Sequence, residues 1–246
     1  MKNCILSLFL LFSIVSFACD NCKNQINYNE TKDFDVVSAE VIHNKKFGTL
    51  EFEIKVAGNA GKTTPKPAGQ LDGAPVLGYV FVTTLSAEDV GFSATEGIVA
   101  LALTSHPDFD DTPLWDESGD GNYNNDGVIW HPHWVVLSQD SRVAGGFSVK
   151  EFKKTEEVVL PPTNPGMPMY MDSPGFPVVT DGSYIRVSVP AYRIKNKVNF
   201  NYDVVACYMQ VSLPAGEMTT MDKPMLGVYE VYSVLSKDLS LPYQTK

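Results

Sequence analysis

Apolar and polar residues alternate with period two along much of the chain. The clearest case is Thr49-Leu50-Glu51-Phe52-Glu53-Ile54-Lys55-Val56, which sends its apolar side chains to one face and its charges to the other, as a half-buried strand does. Residues 34–42 form a second such run, and the polar turn 44–48 joins the two as a hairpin. Further strand-like runs follow at 76–84, 97–103, 128–137, 147–152, 184–189, 203–213 and 227–235, most of them separated by Gly, Pro, Asn and Asp. A long helical stripe is missing after the N-terminus. Ser86 can cap a single short turn over 86–90, with Glu88 and Asp89 suiting its first turn. The pattern predicts an all-β chain: one antiparallel β-sandwich domain over 34–246, with long loops and little helix.

Two of the loops are long. One spans 104–127. The other spans 160–177 and carries six prolines, Pro161 and Pro177 among them. Long loops on a rigid β-scaffold commonly bind something. The charge distribution sharpens this expectation for the first loop. The chain carries a net charge of −10, and no Lys or Arg occurs between Ala68 and Ser141, a stretch that includes twelve Asp and Glu. Such a cluster repels a phosphate backbone, so nucleic acid is excluded as a partner, while a metal cation would relieve the repulsion.

Within that loop, Asp116, Ser118, Asp120 and Gly121 fall at positions 1, 3, 5 and 6 of a calcium-binding scheme. Asn122 offers a backbone carbonyl, Asn124 a side-chain oxygen and Asp126 a late carboxylate. The run resembles the Asp-x-Asp/Asn-x-Asp-Gly calcium loops of EF-hand and dockerin-like modules over about 12 residues. It departs from them with Ser118 at position 3 and Gly127 where an EF-hand has a bidentate Glu. The resemblance implies calcium as a structural cofactor, whereas the Asp-Gly-Asn content alone also suits a plain turn.

The histidines point to a different class of ion. His131 and His133 flank Pro132 in Trp130-His131-Pro132-His133-Trp134. Residues two apart on a strand share a face, so the two imidazoles converge, and Pro132 confines the run to an edge or a strand end. With His106 they make a three-imidazole set suited to zinc or copper. Met167, Met169 and Met171 alternate in the Pro-rich loop. They either add soft donors for copper or fill gaps as core residues.

The N-terminus places the protein. Lys2 precedes a largely apolar run over 5–17, too short to span a bilayer, followed by Ala18. Residues 1–18 therefore read as a cleavable signal peptide and 19–33 as a polar tether. Export to the periplasm, outer membrane or surface of a bacterium follows. The residues around Cys19 resemble a loose lipobox, which implies lipidation of Cys19 and a membrane tether. That would leave Cys22 and Cys207 to pair in an oxidising compartment; without lipid, Cys19 and Cys22 form a C-x-x-C pair. No Gly-x-Ser-x-Gly, phosphate loop or His-Glu-x-x-His occurs. The sequence thus favours a cation-binding envelope protein with a binding or structural role. The alternative is a zinc- or copper-dependent protein or hydrolase built on His106, His131 and His133.

Overall fold

The computed structural model describes residues 28–65, 72–106, 121, 129–153, 155–212 and 222–246. Its fold is nearly all β and antiparallel, as the alternation predicts. The strands are β1 (Val36–Asn44), β2 (Thr49–Val56), β3 (Pro75–Thr83), β4 (Ile98–Ser105), β5 (His131–Gln139), β6 (Phe147–Val149), β7 (Met171–Asp172), β8 (Val178–Asp181), β9 (Tyr184–Pro190), β10 (Asn201–Val211), β11 (Leu226–Val234) and β12 (Tyr243–Gln244). The short turn over Ala87–Val90 is a 3-10 helix. Ser86 and Asp89 cap it reciprocally, an arrangement worth about 1 kcal/mol.

The expected sandwich differs in one respect. Four strands form an open sheet in the order β1-β2-β9-β8, but the second layer is not an open sheet. Its strands run β11-β6-β5-β4-β3-β10, and β10 pairs back to β11 over Val205–Val211, closing a six-stranded barrel. Short β7 adds to β5, and β12 adds to β10. The open sheet packs on one side of the barrel, so the layering of a sandwich survives while one layer is a tube.

This architecture explains why some strands alternate and others read as continuous apolar runs. On β2, Leu50, Phe52, Ile54 and Val56 are buried while Glu51, Glu53 and Lys55 between them are half-buried, because only one face meets the core. Strands β3 and β4 are buried on both faces, as strands covered on two sides must be. Their outward residues are large: Leu77, Tyr79, Phe81, Leu101 and Leu103 join the core between the layers. There Phe52 meets Phe81 edge-on with ring centroids 5.1 Å apart, and Trp134 at 6.3 Å. Each such pair adds about 0.5–1.5 kcal/mol beyond area burial.

The inward residues are small, because six strands enclose little space. Val76, Val80, Val82, Ala100, Ala102, Val205 and Cys207 form a second apolar cluster inside the barrel. Gly78 is one close approach: a Cβ there would lie 2.7 Å from the terminal methyl of Met209.

Candidate metal centre

The β4–β5 ladder sets Ala102 opposite His133 and Thr104 opposite His131. Ala102 faces the lumen, so by the period of two Thr104 and His106 follow it on the same side, and His131 and His133 meet them from β5. All three histidines are 2–3% exposed. One donor nitrogen from each lies within 4.8 Å of the other two, and this buried cluster can hold a metal ion. The Nε2 atoms of His106 and His131 are 3.0 Å apart, and the rings of His131 and His133 meet edge to face at 4.7 Å. The convergence expected from the spacing is present, and Pro132 occupies the second position of β5, near the strand end as anticipated.

Hydrogen bonds orient two of the rings. His131 Nδ1 lies 2.7 Å from the carbonyl oxygen of Ile129. A carbonyl can only accept, so Nδ1 carries a proton, and the bond turns the other ring nitrogen, Nε2, toward His106. His133 Nδ1 lies 3.0 Å from the hydroxyl of Ser173, which is itself 1% exposed and held by its backbone N–H to Thr163. A ring nitrogen bonded to a carbonyl or hydroxyl while its partner nitrogen points into a cluster is the usual support for a histidine ligand.

Trp130, one residue before His131, is anchored from the other layer. Its indole N–H donates to the Gly61 carbonyl at 2.8 Å, and its ring meets Tyr79 at a tilt of 39°, centroids 4.8 Å apart. The Tyr79 hydroxyl donates to the Asp33 carbonyl at 2.7 Å and accepts from the Gly61 N–H at 3.3 Å. Burial pushes the Tyr79 phenol well above its ordinary pKa. Beside Ser173, the buried Asp172 accepts from the Thr163 hydroxyl. Burial raises its carboxyl pKa, against the opposing pull of Thr163 and Arg193.

Thr104 and Ser173 belong to this centre, and sequence reasoning missed both. Thr104 had a signal: it is a hydroxyl in the apolar run Ile98–Ser105, two residues before His106 and so on the same face. Ser173 had none, lying 40 positions from His133 within the Pro-rich loop. The Thr104 hydroxyl is buried with no hydrogen-bond partner among the described residues. A hydroxyl so placed costs about 1–3 kcal/mol.

Met169 and Met171 lie inside the barrel and Met167 packs against it, so the alternate methionines do share a face with the lumen. Cys207 is in the lumen too, and burial alone pushes its thiol up to about 12. Its expected partner Cys22 lies outside the described residues, as do Cys19 and the whole N-terminal signal and most of the tether. The calcium-loop candidates Asp116, Ser118, Asp120, Asn122, Asn124 and Asp126 also lie outside them. Of that motif Gly121 is described, with a left-handed φ of +81°. No protein-family model, curated protein or solved structure matches this chain.

Proposed function

We propose that this is an exported protein that binds one transition-metal ion, zinc in the first instance, through His106, His131 and His133 at one end of a closed β-barrel. The observation that carries the reading is the convergence of three buried rings, with one nitrogen of each within 4.8 Å of the other two. The Ile129 carbonyl accepts from His131 Nδ1 and so turns Nε2 toward a second imidazole nitrogen 3.0 Å away. Three converging imidazoles form a donor set that zinc accepts. Export rests on the signal-like residues 1–18. The role is binding, because the lumen that adjoins the histidines is apolar.

A second reading, copper, is favoured by one observation: Met171 lines the same cavity as His133. A thioether beside imidazoles suits Cu(I).

Elemental analysis of the purified full chain tests both. One zinc or copper per chain is expected, and His131→Ala should empty the site. Unchanged metal content in His131→Ala would end this reading.

A further inference from the structure

Inside the barrel is a cavity of about 120 Å³, lined by Val, Ile, Leu, Ala, Phe, Met and Cys side chains apart from Thr104 and His133. Its two ends differ. Thr104 and His133 lie toward one end of the β4–β5 ladder and are 4% and 3% exposed. At the other end Ile98 pairs with Leu137, and these two lining residues are partly exposed. So are Phe147, Val234 and Leu239, while Val231 is 40% exposed. The lumen is therefore blind at the histidine end and opens, between apolar side chains, at the Ile98 end.

Leu239 is not on a barrel strand. It lies on the connection after β11, where Lys237, Leu239 and Leu241 all take left-handed backbone, with φ of +77°, +58° and +53°. That region is costly for a bulky side chain and persists only where surrounding bonds impose it. Here they do. The Leu239 N–H donates to the Ser236 hydroxyl oxygen at 3.0 Å, and that hydroxyl donates to the carboxylate of the fully buried Asp203. The strained backbone thus keeps a leucine side chain at the open end of the cavity.

We propose that the lumen is a binding site for a neutral, hydrocarbon-bodied molecule about the size of a benzene ring, which enters at the Ile98 end past Leu239. An apolar cavity of about this size stays dry and accepts benzene. The aliphatic wall formed by residues such as Val80, Val135 and Val205 offers a charged ligand nothing in place of its hydration, so charge is selected against. The site is separate from any ion at the histidines and does not depend on one.

Fluorine NMR titration of the full chain with fluorobenzene tests the proposal, with para-fluorobenzoate and para-fluorobenzylammonium as charged analogues. One fluorobenzene per chain is expected, with nuclear Overhauser contacts to the methyls of Val135 and Val205. Each charged analogue should bind at least about tenfold more weakly. Ala102→Leu fills the lumen and should abolish binding, and Cys207→Met should do the same with a more adaptable side chain. Leu239→Gly takes the same φ without strain and widens the opening, so dissociation should quicken severalfold, as read from the fluorine line width. Failure of fluorobenzene to bind, absence of those methyl contacts, or equal binding of a charged analogue overturns the proposal. So does parent-like binding in a filled variant that keeps the circular dichroism of the parent. An unchanged dissociation rate in Leu239→Gly overturns entry past Leu239. None of these results bears on the metal reading, which the zinc content decides.

Discussion

Ser173 and His133 lie 40 positions apart in sequence, yet the serine hydroxyl sits 3.0 Å from the imidazole Nδ1, both fully enclosed. That contact joins the end of the Pro-rich loop to the metal-candidate strand and fixes the plane of the ring. Ser173→Ala should therefore weaken zinc binding by about 10–100-fold without removing any ligand. Competition against a chromophoric chelator reads the change. An affinity equal to that of the parent chain would show that the hydroxyl plays no orienting part.

Tyr79 ties the two layers together through its hydroxyl, which donates to the Asp33 carbonyl and accepts from the Gly61 N–H. Tyr79→Phe keeps the ring against Trp130 but strands the buried Asp33 carbonyl and the half-buried Gly61 N–H. A loss of about 1–3 kcal/mol is expected in urea unfolding, at unchanged m-value.

Asp140 accepts three side-chain hydrogen bonds from Arg142, at 2.6–3.1 Å, in the β5–β6 turn. That pairing lowers its carboxyl pKa from 3.8 to about 2. A depressed carboxylate stabilises the fold above its unfolded pKa, and the contribution disappears as pH falls from about 4 toward 2. The pair is partly solvated, so the effect should stay below about 1 kcal/mol. Arg142→Ala should lower stability at pH 7 by that amount and match the parent near pH 2. A constant difference across the range would contradict this origin.

Burial holds the Cys207 thiol neutral at pH 8, with its pKa pushed up to about 12. Only the thiolate is nucleophilic. Iodoacetamide should leave the Cys207 peptide unmodified in the native protein and alkylate it in urea, as read by peptide mass mapping. Omitting reductant from the urea arm also reads whether Cys22 is bonded to it. Rapid native-state labelling would mean that the barrel opens far more readily than its packing implies.

How much of this was legible in the sequence varies by residue. The Leu50–Val56 alternation announced a one-sided strand, and the i, i+2 spacing of His131 and His133 announced their convergence. Barrel closure was not legible, since nothing local in residues 205–211 says that they pair with β11 as well as β3. Its trace is visible in retrospect. In β3 and β4 the apolar residues alternate in size rather than polarity, with Tyr79, Phe81 and Leu101 facing one way and Gly78, Ala100 and Ala102 the other. A two-state apolar/polar reading flattens that pattern into a plain buried strand. Thr104 was readable from its step of two to His106. Ser173 was not, because only the tertiary fold brings the Pro-rich loop to β5.

The closeness of His106 and His131 has a topological consequence. They are 25 positions apart along the chain, and the carboxylate-rich excursion leaves from one and returns at the other. An ion held between their ring nitrogens would therefore act as a reversible cross-link at the neck of that excursion. It would tie off the excursion much as a disulfide closes a loop, and its removal would return the closure entropy to the chain.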